Sequence, residues 1–302
     1  MTDFSYVNGI YNITPTPFHP DGALDLASLK PLVDFNVDKG VNGMTILGVL
    51  GETSKVLEEE RDPIIAGVLE ANRGRISICV GTSHDDSTEG CLIRSKRVQE
   101  LGAHAVMVAP PKFMKTDQEA VRRHYLTLAD ALDIPIVVQD HPTSTGVIMQ
   151  VETIARIAEE APICNFLKLE DEPSPTKVSQ VRKVCPSMII FGGLGGMMFL
   201  EELRHGADGT MTGFAFPEIL VEIHRKWVAG DVDGATEVFY HYCPLIRFEN
   251  QKGINLALRK EIYYRRGVLS SPAPRKPYIP VDEDTLADLD DLLTRLNLLE
   301  AA

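Results

Sequence analysis

The sequence predicts an α/β protein, a (β/α)8 TIM barrel followed by a helical C-terminal extension. From about residue 9 to residue 226, short apolar runs alternate with longer amphipathic ones about eight times, the pattern of repeated strand-helix units and a parallel sheet. No Gly-x-Gly-x-x-Gly fingerprint follows the first run, which favours a closed barrel over an open doubly wound sheet. Beyond residue 226 no strand run is evident, and Leu286, Leu289, Leu292, Leu293 and Leu296 fall at helical spacing.

Taken in order, the strand-like runs are 10–18, 44–48, 76–82, 105–110, 136–140, 165–170, 188–193 and 209–214. Helical segments lie between them at 27–39, 59–72, 88–101, 119–133, 151–160 and 175–184. Several end in a glycine placed to take a left-handed cap, as in Leu101-Gly102, and the next strand follows within a few residues. These short returns suit a barrel over residues 1–226, with 227–302 as the helical extension.

The chain's 302 residues are 44% hydrophobic, enough for a core of ordinary size. Its net charge of −13 makes nucleic acid and anionic lipid unlikely partners. No apolar run approaches the roughly 18 residues of a membrane span, and the first residues lack the basic and apolar regions of a signal peptide, so a cytoplasmic protein is expected. The five cysteines are scattered without a Cys-x-x-Cys pair, which indicates neither a disulfide framework nor a structural zinc site.

In such a barrel the chemistry sits at the carboxyl ends of the strands. Lys168 interrupts the apolar sixth run, and period-two alternation puts it on one face with Phe166 and Glu170, pointing into the barrel. Burial favours the neutral, nucleophilic form of an amine, which can add to a carbonyl as a Schiff base. A lysine reaching back to solvent, or paired with Glu170 or Asp171, is the competing account. After the second run, Gly48-Val49-Leu50-Gly51-Glu52 forms a turn whose N–H groups could face a carboxylate, or a plain strand-to-helix connection. Gly192-Gly193-Leu194-Gly195-Gly196 could receive an anion or serve close backbone packing. The fifth run ends in Gln139-Asp140-His141-Pro142-Thr143-Ser144, where Asp140 and His141 could move protons, or hold a divalent metal with Glu170 and Asp171, or simply make a polar turn. His84-Asp85-Asp86, at the end of the third run, carries the same ambiguity.

Five features in this order resemble the dihydrodipicolinate synthase and N-acetylneuraminate lyase family over nearly the whole chain. They are Thr14-Pro15-Thr16-Pro17-Phe18, Gly48-x-x-Gly51-Glu52, Pro142 to Gly146, Lys168, and Gly206-Ala207-Asp208-Gly209. The resemblance implies that Lys168 is the Schiff-base lysine and that the backbone at Val49 and Leu50 holds the carboxylate of a pyruvate-like moiety. It further implies a homotetramer, a dimer of dimers, needing no metal or organic cofactor.

The departures bear on the reaction. Where the family carries a proton-relaying tyrosine this chain has Gln139, which cannot titrate but can orient a substrate or water. Lys112-Phe113 replaces two adjacent tyrosines, Ser144 an arginine that clamps the second substrate, and Val49-Leu50 a Thr-Thr pair. The run Val138-Gln139-Asp140-x-Pro142, with Met211-Thr212-Gly213 and Phe216-Pro217, looks more like the branch that dehydrates 2-keto-3-deoxy sugar acids.

The leading expectation is therefore a Schiff-base lyase, a dehydratase or aldolase acting on pyruvate or a 2-oxo acid through Lys168. Asp140, Glu170 and His141 would move protons, Gln139 would orient, and Gly48, Val49, Leu50, His141, Ser144, Gly193 and Thr212 would bind substrate. The alternatives are the lysine-biosynthetic synthase itself, a metal-assisted lyase using Asp140, His141, Glu170 and Asp171, and a binder that no longer turns over.

Overall fold

The computed structural model describes residues 4–83, 87–112 and 117–298; His84, Asp85, Asp86 and residues 113–116, Phe113 among them, lie outside the described residues. Eight parallel strands close into a barrel in sequence order. They are β1 (Gly9–Ile13), β2 (Gly43–Ile46), β3 (Ser77–Gly81), β4 (Ala105–Val108), β5 (Ile136–Asp140), β6 (Phe166–Leu169), β7 (Ile189–Gly192) and β8 (Gly209–Thr212). The barrel shuts where β8 pairs with β1, Thr212 opposite Asn12.

The helical layer begins with α1 (Leu29–Asp38), α2 (Glu58–Asn72), α3 (Thr88–Glu100) and α4 (Gln118–Ala129). It continues with α5 (Pro142–Thr145), α6 (Val151–Glu160), α7 (Ser174–Val184), α8 (Phe199–Arg204) and α9 (Pro217–Val228). The C-terminal helices are α10 (Val232–Glu249), α11 (Asn255–Arg265) and α12 (Glu283–Arg295). Among the described residues no helix is long and apolar enough to cross a membrane.

Alternation along each strand sorts the apolar side chains into two cores. Tyr11, Cys79, Met107, Val137, Phe166, Phe191 and Met211 fill the barrel, while Ile10, Val80, Val138, Leu167, Leu169 and Ile190 pack against the helices. Because the strands are buried on both faces, they read as nearly unbroken apolar runs.

Two local expectations need correcting. The first strand ends at Ile13 rather than continuing to residue 18: Thr14 N–H still reaches Thr45 O at 3.1 Å, but Pro15 and Pro17 have no N–H to extend a ladder. The polar run after β5 is not an open turn but the one-turn helix α5, started by Pro142 and closed by Gly146 at φ +71°.

Candidate active site

Lys168 stands on β6 and points into the barrel, with Leu167 and Leu169 turned to the helical layer. It is 3% exposed, and its Nζ lies 2.7 Å from Oε2 of Glu170, itself 7% exposed. Gln139 is in register with Lys168 on the neighbouring strand, and its Nε2 donates to the same Glu170 oxygen at 2.8 Å. Both accounts weighed for Lys168 thus meet in one geometry: it enters the barrel and is paired there.

His141, mostly buried, brings Nδ1 to 3.9 Å from that oxygen. Burial pushes the Glu170 carboxyl up, but the Lys168 ammonium, His141 and the Gln139 amide outweigh it and hold the group below its ordinary value. Burial also pushes His141 below its ordinary value, so it is the neutral imidazole at neutral pH. Together they leave a carboxylate, an amine and an imidazole around one oxygen, a set suited to proton transfer.

The backbone of Gly193 makes room for this carboxylate. A Cβ there would lie 2.8 Å from Glu170 Oε1 and closer still to its Cγ. On the other side of the same strand end, a Cβ on Gly192 would overlap the carboxyl of Glu202, which accepts from Ser174 Oγ at 2.6 Å. The Gly192-Gly193 pair is thus packed between two carboxyl side chains, the close-packing account of this glycine run. Burial pushes Glu202 up to about 8, so it is a neutral acid at pH 7.

The turn after β2 comes down over the barrel mouth. No described residue accepts from the N–H of Val49 or of Leu50, whereas Glu52 N–H bonds Val49 O at 3.1 Å and Thr53 N–H bonds Gly48 O at 3.3 Å. Leu50 packs onto the barrel's inner core, and a Cβ on Gly213 would sit 2.5 Å from its Cδ1. The turn is fastened from behind by Glu52, buried, which meets Lys260 of α11 at 2.6 Å, Lys55 at 3.1 Å and the backbone N–H of Arg275 at 2.9 Å. Burial pulls Lys260 down to about 8 despite the Glu52 carboxylate beside it.

A cavity of about 400 Å³ opens among these groups, lined by Val49, Leu50, Gln139, His141, Lys168, Glu170 and Thr212. An adjoining cavity of about 220 Å³ shares Val49 and Gln139 and takes in Gly48 and Ser144. Thr212 has its Oγ1 engaged by the N–H of Gly195 at 2.7 Å. Ser144 is exposed and donates to His141 O at 3.1 Å, away from Lys168.

Asp140 departs from its expected role. It follows Val138 to the outside of the barrel, where its Oδ2 lies 2.6 Å from Lys177 of α7, and burial raises it to about 6. Asp171 meets the same ammonium at 2.8 Å. The four residues weighed as metal ligands are therefore divided between two sides of the sheet, and among the described residues no group of three or more His, Cys, Asp or Glu side chains is placed to hold an ion. The alternation that placed Lys168 inside also separates Gln139 from Asp140, so the signal was present in the sequence.

Sequence reasoning missed one wall of the cavity. Asn250, Lys252, Asn255 and Arg259, from the end of α10 and the start of α11, line it as well. The available signal was Arg259-Lys260 interrupting the apolar run Leu256-Ala257-Leu258, two charges where a buried helix face was due.

A family model described as the dihydrodipicolinate synthetase family matches residues 6–296. An L-2-keto-3-deoxyarabonate dehydratase from Azospirillum brasilense is 35% identical over 297 residues, covering 96% of this chain and 95% of its own length. A 4-hydroxy-tetrahydrodipicolinate synthase from Thermotoga petrophila is 30% identical over 300 residues, covering 96% and 99%. Among solved structures, a dihydrodipicolinate synthase from Rhodopseudomonas palustris superposes with a TM-score of 0.90 at 33% identity, covering 96% of this chain and 98% of the other.

Proposed function

The chain belongs to the dihydrodipicolinate synthetase family and is a lyase, and from that premise we propose that it dehydrates a 2-keto-3-deoxy sugar acid through a Schiff base at Lys168. The reading rests on one observation: the Lys168 amine lies inside the barrel mouth, 2.7 Å from a carboxylate that Gln139 holds in place.

In this reading the substrate carboxylate takes the free N–H groups of Val49 and Leu50, which brings its ketone to Lys168. Glu170 accepts a proton from the ammonium, and the freed amine adds to the ketone and expels its oxygen as water, leaving a protonated imine. The imine draws electrons from the neighbouring carbon, so Glu170 or His141 can remove a proton there. The resulting enamine pushes out the β-hydroxyl, which leaves as water with a proton supplied by the same pair. Hydrolysis of the imine consumes one water and restores Lys168, so the net reaction loses one water. Asp140 takes no part.

Two features favour dehydration over the synthase reaction. The 35% identical relative is a dehydratase. Gln139 stands where the family carries a relaying tyrosine, and Ser144 where the synthase clamps a second substrate, so the groups for a condensation are missing while those for an elimination are present. On family grounds the protein is proposed to act as a cytoplasmic homotetramer, with light scattering as the check on assembly.

Borohydride reduction with pyruvate or a longer 2-oxo acid, followed by peptide mass mapping, tests the chemistry. An adduct on Lys168, lost in Lys168→Arg together with turnover of a 2-keto-3-deoxy acid, is the expected result. An unmodified lysine, or turnover that survives the substitution, overturns it.

A further inference from the structure

The turn that follows β2 holds a backbone geometry that its residues do not favour. Leu47 has φ +55° and Glu52 φ +56°, left-handed values at two non-glycine residues that bracket Gly48 to Gly51. Arg73 shares that conformation at the C-cap of α2, where it ends a helix. No helix ends at Leu47 or Glu52. Strained residues of this kind persist only where the surroundings over-determine them, and ligand clamps are among the places that do so.

The surroundings here are the partners of the Glu52 side chain. Glu52 is 2% exposed; its Oε1 lies 2.6 Å from Lys260 Nζ, and its Oε2 takes Lys55 Nζ at 3.1 Å and the N–H of Arg275 at 2.9 Å. The ring of Phe18 supports two of these partners, its centroid 4.7 Å from Lys260 Nζ and 4.2 Å from the Arg275 guanidinium carbon. Thr16 adds a second tie, donating to Gly51 O at 2.6 Å. Of the described residues that line the two cavities, Glu52 is not one. A carboxylate this close to an anion-binding turn would repel the anion if it faced it; turned away and met by two ammonium groups, it does not.

We infer that Glu52 is a positioning residue for substrate binding: through Lys260, Lys55 and the Arg275 backbone it keeps the turn in its left-handed form, with the N–H groups of Val49 and Leu50 ready at the cavity. It sets the affinity for the carboxylate of a 2-oxo acid and takes no part in the chemistry at Lys168. The inference rests on the proposed reading, in which that turn receives the carboxylate and Lys168 the ketone. Loss of the Glu52 charge leaves Lys260 and Lys55 facing each other without their common partner, and the turn is then free to relax from its strained geometry.

The test uses the intact protein and two probes, pyruvate and its uncharged methyl ester, which share the ketone and differ in the carboxylate. Borohydride trapping is followed against concentration in wild type, Glu52→Gln and Lys55→Met. In Glu52→Gln the half-saturating concentration of pyruvate is expected to rise about tenfold while the maximal rate stays within about twofold, the signature of lost binding without lost chemistry. Trapping of methyl pyruvate is expected to stay as in wild type. Lys55→Met, which removes one of the three partners, is expected to raise the pyruvate value about threefold, and it decides should the buried Glu52 variant not fold. An unchanged pyruvate value overturns the inference, and so does an equal loss with both probes, which would mean that Glu52 only holds the chain together. Methyl pyruvate saturating wild type as readily as pyruvate overturns it too and leaves the Schiff base standing. Absence of any adduct with either probe removes the Schiff base and this inference with it.

Discussion

Lys168 and Glu170, two residues apart on one face of β6 and its continuation, form a buried ion pair of 2.7 Å at the mouth of the barrel. In the proposed reaction Glu170, the nearest carboxylate, is the group that takes the proton leaving the Lys168 amine before it attacks. Glu170→Gln keeps the shape and removes the acceptor. Adduct formation with pyruvate is expected to slow by roughly 10²- to 10⁴-fold, the usual scale of general base catalysis. A rate within threefold of wild type in a stopped trapping assay would remove Glu170 from this role.

Gly193→Ala tests the same carboxylate by steric means. The added methyl needs the space of the Glu170 side chain, at 2.8 Å from Oε1, and pushes the carboxylate off Lys168. Loss of kcat/KM of about 10²-fold is expected, the scale of a 1 Å misplacement, with circular dichroism unchanged. A fully active alanine variant would show that the geometry of Glu170 does not matter.

For Asp140→Asn the expectation is a stability defect without a catalytic one. Asp140 pairs with Lys177 outside the barrel, and Asp171 remains to hold that ammonium. The cost should be about 1–3 kcal/mol, below the 3–5 kcal/mol of a fully orphaned buried charge. Chemical denaturation and kcat per folded molecule separate the two effects; a hundredfold fall in kcat with unchanged stability would return Asp140 to the catalytic set.

Glu202 gives a pH signature. Its carboxyl titrates near 8 in the folded chain, well above the ordinary value of 4.5. Between those values the native state holds a proton that the unfolded chain has released, so stability is fully present below about pH 4.5 and is lost as pH rises towards 8. Glu202→Gln removes that loss. The variant should melt higher than wild type at pH 7 to 8, by roughly 2–4 °C for each kcal/mol gained, and the gap should close near pH 4. A gap that is constant across this range, or that grows in acid, rules out a neutral Glu202.

How far the sequence could be read depended on the range of the interaction. Lys168 and its partner Glu170 belong to one strand, and period two suffices to place them. The same rule, applied to Val138 and Gln139, separates Asp140 from the cup. The glycines after β7 left anion binding and close packing open, because nothing in the sequence names Glu170 and Glu202 as their neighbours. The donors at 250–259 enter the site only through helix packing, which no periodicity encodes.

The turn over the barrel mouth is secured by Glu52, whose partners are Lys260 and the backbone of Arg275, the latter 223 positions further on. A ribosome that has already delivered all eight strands has therefore not delivered the fastening of the turn that faces the reactive amine. If the proposed chemistry holds, the nascent polypeptide is expected to trap no 2-oxo acid until its last quarter has emerged.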